Sequence, residues 1–383
     1  MKDPASYPFN SPNAKFPYPQ GRAYKNCPLP VYSTDSVATA YNNWKTKFYV
    51  GGRVVRPENS NDTVSEGIAY GMLIAVYMND RSMFDTLYAY SQTKLDQNGL
   101  MHWNINSGGS VIGQNSATDA EEDMAWALLV ADAQWGGTYK ANAIKLIDAI
   151  WNKEVESGSN VLKPGDSFGG SSQTNPSYFA PSYYRAFAKV TSYNWNAVID
   201  SSYTILSAAS GSLGLVPNWV NAQGAGVNGP GNDSNGLAYG YDACRTPFRI
   251  ALDYCMNGEP RAKAYLDKIT GFFAGIATIT PAQLKDGYTT TGANPNGTLG
   301  DYSAGMAFAG PGAVGALSGG HAPYLAASYT FLESYTTQTQ FVSSNSYFSY
   351  YNGSWGVILA ARVERQFLGL ATVSSQRLTS KCR

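Results

Sequence analysis

The feature that most narrows the fold of this chain is an alternation between two kinds of helical patch. Helical periodicity reads over 35–49, 64–79, 81–94, 118–135, 138–155, 178–190, 193–209, 240–255, 260–274, 302–317, 321–335 and 346–361. The even-numbered members are apolar all round and rich in small residues, as in GIAYGMLIAVYM, DMAWALLVADA and AGMAFAGPGAVGAL. The odd-numbered ones, such as ATAYNNWKTKFY and RSMFDTLYAYSQTKL, carry a polar face. A helix apolar on every side is buried, whereas a polar face marks the surface. Strict alternation therefore predicts an inner ring wrapped by an outer ring, an all-α (α/α)6 barrel of about twelve helices. The plainer alternative is an irregular helical domain. No sequence repeat and no domain break stand out inside 31–375. The reading is an extended, Pro-, Tyr- and Asn-rich arm over 1–30 packed on one barrel domain over 31–383.

Loop lengths add a second asymmetry. Links from even to odd helices are short, as at Asp80 and at Gly136-Gly137. Links from odd to even helices are long, at 95–117, 156–177, 210–239 and 275–301. Long loops without structure of their own are usually functional. All of them open at the end of the barrel that holds the N-termini of the inner helices, so the site is expected there. Ser65, Thr118 and Ser177 read as caps for three of those N-termini.

Charge limits the partners. Lys+Arg and Asp+Glu both number 27, so no basic field draws nucleic acid or an anionic membrane. No apolar run is long enough to span a bilayer. The N-terminal MKDPASYPFNSPNAKFPYPQG has no hydrophobic stretch of the kind a signal peptide needs, and a mature chain given a start Met reads the same way. Aromatics reach 13%, enough to fill a core and leave rings for stacking on sugar faces, although any single ring is more often core. Of the four cysteines, Cys244 and Cys255 on one helix stand ~16 Å apart, too far to bridge. Cys27 and Cys382 lie near opposite ends and are candidates to staple the termini, a pairing the sequence leaves open.

Three acids sit where long loops enter inner helices: Glu66 in TVSEGIAYGM, Asp119 in SATDAEEDMAWALL and Asp242 in LAYGYDACRTPFRIALDY. One acid at a helix N-terminus is commonly a dipole partner and no more. Three at the same end of buried helices point to a reaction centre. Two carboxyls suffice for glycoside hydrolysis, one donating a proton to the leaving oxygen and the other activating water or attacking the sugar. The helix dipole opposes the donor role, so the donor must be desolvated or crowded by a second carboxylate. Asp119 is placed to crowd Glu66 in this way, and Asp301 is a further candidate base. With only His102 and His321 in the chain, a His-based triad or metal site has almost no material. Gly165-Asp166-Ser167-Phe168-Gly169 follows a polar loop, not a strand, which argues against a serine nucleophile elbow. The glycines of 224–229 lead into Pro230 rather than a helix, which removes the phosphate-binding geometry.

The segments SEGIAYGMLIAVYMND, GLMHWNI, ATDAEEDMAWALLVADAQW, NPSYFAPSYYRAF, GLVPNWV and YDACRTPFRIALDY, in that order, resemble the blocks of glycoside hydrolase family 8 from about residue 20 to 365. The resemblance implies an (α/α)6 barrel, inversion by single displacement and no metal or other cofactor. By the same resemblance Glu66 is the general acid and Asp242 the general base, and Asp119 holds the distorted sugar. Tyr241 and Arg245 orient the base and the attacking water, and Tyr178 contacts sugar near that water. Trp103 is implied as a stacking platform, with Phe168, Tyr184 and Trp219 as further substrate contacts.

Three positions depart from the family pattern. Glu121 stands where Asp is usual, a conservative change outside the reaction centre; Phe168 replaces a stacking Trp; and Asn218 stands where Asp is frequent, removing one anionic contact. Asp242 at the YDA position favours endo-β-1,4-glucanase (cellulase) action over chitosan cleavage. Endo-xylanase, mixed-linkage glucanase and chitosanase action of the same family remain as alternatives, as does a non-catalytic carbohydrate-binding role. The expectation is a secreted monomer whose partner is a β-linked polysaccharide or oligosaccharide, with no nucleic acid and no membrane. Inversion calls for Glu66 and Asp242 carboxyls roughly 6.5–9.5 Å apart, not the ~5 Å of a retaining pair.

Overall fold

The apolar, small-residue patches are helices, and they are interior. The computed structural model describes residues 26–27, 35–276, 281–293, 300, 305–337 and 350–363. Twelve α-helices occur among them. The outer set is α1 (Asp35–Phe48), α3 (Arg81–Gln92), α5 (Tyr139–Glu154), α7 (Trp195–Ala209), α9 (Pro260–Ile276) and α11 (Ala322–Thr337). The inner set is α2 (Ser65–Tyr77), α4 (Thr118–Trp135), α6 (Pro181–Phe187), α8 (Thr246–Asn257), α10 (Met306–Ala316) and α12 (Tyr350–Val363). Each inner helix packs on the next, and α12 returns to α2, so the ring closes. Each outer helix packs against inner neighbours. This is the (α/α)6 barrel that the alternation predicts.

Burial follows the two kinds of patch. Every residue of α10 is buried, and in α2 only Glu66 is not. In α3 only Met83, Phe84, Leu87 and Ser91 are buried. Small residues let the rings approach closely. A Cβ added at Gly312 of α10 would meet the Tyr324 hydroxyl of α11 at 2.6 Å and the Phe273 ring of α9 at 2.8 Å. No described helix is long and apolar enough to cross a membrane.

Several local expectations are corrected. Ser65 and Thr118 do not cap: each is the first residue of its helix, the cap positions are Val64 and Ala117, and neither has a side-chain capping bond. The span read as one helix over 178–190 is a 3-10 turn, Pro176–Tyr178, followed by the seven-residue α6. Pro181 disfavours helical geometry in the residue before it, so the helix restarts at the proline, and Ser177 lies in the turn ahead of it. Likewise a 3-10 turn, Ala243–Arg245, precedes α8, which starts at Thr246-Pro247.

Short strands in the long loops were below the reach of periodicity. β1 (Tyr49–Val50) pairs with β2 (Arg53–Val54). β3 (Thr63–Val64), β4 (Asn104–Ile105) and β5 (Val111–Gly113) form a three-stranded antiparallel sheet. β3 runs directly into α2, so this sheet stands at the predicted mouth.

The cysteine expectation is also corrected. Cys27 is bonded to Cys255 in the last turn of α8, not to Cys382, which lies outside the described residues. The sequence reading rejected only the pairing of Cys255 with Cys244, and Cys244 is free and buried. Of the arm over 1–30, only Asn26 and Cys27 are described. Asn26 lies beside Gly258, so both residues of the arm sit at the C-terminal end of α8.

Candidate active site

The loop end of the barrel brings the three acids onto one guanidinium. Glu66 and Asp119 are the second residues of α2 and α4, and Asp242 precedes the turn into α8. Arg245 comes one turn after Asp242 and is buried. Its Nη1 donates to Glu66 Oε2 at 2.6 Å and to Asp119 Oδ2 at 2.6 Å. Its Nη2 donates to Asp242 Oδ1 at 2.9 Å and to Ser177 Oγ at 3.0 Å. The Tyr178 ring lies under the guanidinium, 5.2 Å from centroid to Cζ. Arg245, 2% exposed, clamps the three carboxylates from the buried side, a geometry that suits orienting the base rather than touching substrate.

The three carboxyls are not equivalent. Side-chain exposure is 33% for Asp242, 19% for Glu66 and 3% for Asp119. Asp242 is thus the most open to an incoming water. Its Oδ2 also accepts from Trp219 Nε1 at 3.1 Å. Glu66 Oε1 accepts from the Tyr350 hydroxyl of α12. Asp119 Oδ1 is buried and has no hydrogen-bond partner among the described residues. Three negative groups share one cation, and desolvation penalises charge further. Burial pushes the Glu66 carboxyl up to about 7; Arg245 pulls it down and Asp119 pushes it up. Asp242 is also raised, by burial first, with Arg245 opposing. The crowding expected from Asp119 is therefore present, second to desolvation as a raising effect.

Rings line the mouth. Trp103, Phe168 and Tyr241 are exposed. The Trp103 carbonyl accepts from Ser65 N at 3.0 Å, which seats the indole one residue from Glu66 along the β3–α2 junction. Gly113 backs that indole so closely that an added Cβ would stand 2.4 Å from it. Trp219, largely buried, lies between Phe168 at 6.3 Å and Tyr178 at 6.4 Å, centroid to centroid. The Tyr241 hydroxyl donates to Asp286 Oδ2 at 3.2 Å.

Tyr184 is not at the mouth, which corrects its expected sugar contact. It is fully buried, its hydroxyl donates to Glu122 Oε1 at 2.6 Å, and its ring stacks on Trp195 of α7. It sits one turn into α6, on the side packed against the outer ring. Glu121 spends its buried carboxyl on Met101 N at 2.9 Å, away from the guanidinium, in keeping with a role outside the reaction centre. Asn218 is not a sugar contact but a buried backbone acceptor. His102 Nδ1 accepts from Asn115 N at 2.9 Å, a structural bond. Asp301 lies outside the described residues.

Sequence reading missed Tyr350 and Ser177 as partners of Glu66 and Arg245. Tyr350 is 284 positions from Glu66, and only ring closure brings them together. It also missed a second tier: Arg249 pairs with Asp123, one turn below Arg245 and Asp119. The signal was present as two spacings of four, Asp119 to Asp123 and Arg245 to Arg249, each on one helical face.

Comparison with known proteins agrees with this site. Residues 16–352 match the family described as glycosyl hydrolases family 8. Endoglucanase 2 of Ruminiclostridium josui is 41% identical over 73% of this chain and 64% of its own length. Endoglucanase A of Acetivibrio thermocellus is 38% identical over 91% of this chain and 72% of its own length. The solved structure of a beta-1,3-1,4-glucanase from Paenibacillus sp. X4 superposes with a TM-score of 0.82 at 30% identity, over 94% of this chain and 100% of that one. With the barrel, the three acids and the matched span in agreement, the chain belongs to glycosyl hydrolases family 8.

Proposed function

We propose that this chain is a secreted endo-β-1,4-glucanase that cleaves internal linkages of cellulose or a related β-glucan by single displacement with inversion. One observation carries the reading: a single buried arginine gathers Glu66, Asp119 and Asp242 at the mouth, with Glu66 pushed up to about 7 and Asp242 the most open. In this reading Glu66 is protonated near neutrality and gives its proton to the glycosidic oxygen as that bond breaks. Asp242 accepts a proton from the water that bonds to the anomeric carbon. Burial makes the Asp242 carboxylate a stronger base, while Arg245 and Trp219 hold its orientation. Asp119 Oδ1, lacking a partner, would accept from a sugar hydroxyl in the cleavage subsite. Hydrogen bonds to the two ends of one guanidinium put the nearest Glu66 and Asp242 oxygens no more than about 8 Å apart, a bound that admits a bridging water. Trp103, Phe168 and Tyr241 would stack on sugar faces. Two relatives named endoglucanases support a glucan as the substrate.

The Cys27–Cys255 bond supports an oxidising, extracellular destination. We further propose a monomer acting as one catalytic unit over 31–383, with no bound cofactor.

The test is release of reducing ends from carboxymethyl-cellulose by the protein and by Glu66→Gln and Asp242→Asn. Both variants should fold and lose turnover; full activity in either removes the assignment. Proton NMR of fresh product should show the α anomer first, and a β anomer would rule out inversion. The beta-1,3-1,4-glucanase neighbour favours mixed-linkage glucan as a second reading. Product sizing on cellulose, mixed-linkage glucan, xylan and chitosan separates these. Binding without turnover on all four would leave a carbohydrate-binding protein.

A further inference from the structure

Asn218 is largely buried, and its side-chain oxygen is spent on the backbone around Asp242. Its side-chain oxygen accepts from Gly240 N at 3.0 Å and from Ala243 N at 2.8 Å, so both acceptor sites are used. Those two amides bracket Asp242, two residues before it and one after. The Asn218 side-chain nitrogen donates to Asn235 O at 2.9 Å, and its backbone N–H donates to Ala238 O at 2.8 Å. The next residue, Trp219, holds Asp242 Oδ2 through its indole. Asn218-Trp219 therefore grips Asp242 twice, by its backbone and by its carboxylate.

We propose that Asn218 is a positioning residue for the base: it fixes the backbone from which Asp242 projects, and does so without adding charge. The proposal rests on the reading of Asp242 as the base. The charged and titratable groups around Asp242 are Arg245 on its own turn, Asp119 from α4, Glu66 from α2, Tyr178 from the turn before α6, and Cys244 and Tyr351 beside Arg245. Arg245 already serves three carboxylates. A fourth negative charge at position 218 would have no cation left to offset it. An aspartate there would keep both backbone N–H bonds, which hold it ionised, and would lose the donor to Asn235 O. It would then raise the Asp242 carboxyl by like-charge repulsion.

Two variants test this on carboxymethyl-cellulose, with melting curves to confirm folding. Asn218→Ala frees the loop, and kcat should fall by roughly 100-fold with KM nearly unchanged, the signature of a misplaced reacting group. Asn218→Asp should restore most of the plateau kcat relative to Asn218→Ala. It should also move the acid limb of the kcat profile upward by about one pH unit. Wild-type kcat in a folded Asn218→Ala, or an unmoved acid limb in Asn218→Asp, overturns the positioning role. Asp242→Asn run alongside separates the two readings. If it is inactive while the limb stays in place, only the role of Asn218 falls; if it is active, the base assignment falls and the positioning role with it.

Discussion

Two arginines one helical turn apart, Arg245 in the turn leading into α8 and Arg249 on α8 itself, do opposite work. Arg249 pairs with Asp123 of α4 deep in the barrel, where both side chains are essentially sealed from solvent, over the ring of Tyr183 at 5.5 Å. Arg245 sits above it, over the ring of Tyr178 at 5.2 Å, and faces three carboxylates. The lower tier is one cation bonded to one carboxylate in a closed space, with the neighbouring Glu122 carboxyl pushed well above its ordinary value by burial. The upper tier has an excess of negative charge beside a cleft. A buried pair of this kind is a structural tie, because removing either partner strands the other's charge away from solvent. An unbalanced cluster must hold a proton somewhere, and Glu66, raised to about 7, holds it. Solvent access and the excess of carboxylates on one cation, not residue type, thus separate the candidate reaction centre from the core beneath it.

The sharpest way to break this contrast is to remove each arginine. Arg245→Met should lower kcat on carboxymethyl-cellulose by roughly 1,000-fold or more and lower stability less than Arg249→Met does, since two of its three acids, Glu66 and Asp242, keep access to water. Arg249→Met should do the reverse. It strands Asp123 and should cost roughly 3–5 kcal/mol in chemical denaturation, with kcat of the folded fraction within a few-fold of wild type. Equal losses of stability in both variants would erase the distinction between tiers.

A smaller effect is the dependence on pH. If Glu66 is the acid, kcat should fall as pH rises through about 7, where the carboxyl loses its proton. The fold favours protonated Glu66, so its contribution to stability is full below the ordinary carboxylate value of 4.5 and is lost as pH rises through about 7. Glu154, buried and bound to Ser116 but not part of the arginine cluster, is raised to about 8 by burial. Glu154→Gln should flatten the decline in melting temperature between about pH 5 and 8 while leaving the alkaline limb of kcat where it was. An alkaline limb that moves with Glu154→Gln would tie the two regions together.

The smallest contrast is between two aromatics. Trp103→Ala should raise KM about tenfold and leave stability near wild type, since its ring is exposed. Tyr184→Phe removes a donor from buried Glu122 and should cost about 1–2 kcal/mol of stability with KM unchanged. A KM change in Tyr184→Phe would reinstate it as a substrate contact.

Tyr184 shows where reading from sequence stops. It and Tyr178 lie six positions apart in one segment rich in Tyr and Pro, and nothing local separates their roles. The break at Pro181 turns one toward Arg245 and the other toward Trp195. Asn218 is similar: its type suggested a lost anionic contact, but its use depends on which backbone amides the 235–243 segment brings to it. Cys27 meets Cys255 because Asn26 and Cys27 lie on the C-terminal end of α8, a contact over 228 positions that spacing cannot reveal.

What the sequence determined by itself was the alternation of buried and half-exposed helices, and with it the barrel, the loop-rich end and the three acids at inner helix starts. Those follow from periodicity and from polar groups placed at the ends of apolar segments, which are local properties of the chain. The sharing of one guanidinium among the three acids, the contact of Tyr350 with Glu66 and the sealed pair beneath were decided by tertiary structure alone. They depend on distances between helices from opposite sides of a ring, and those distances exist only once α12 has closed on α2.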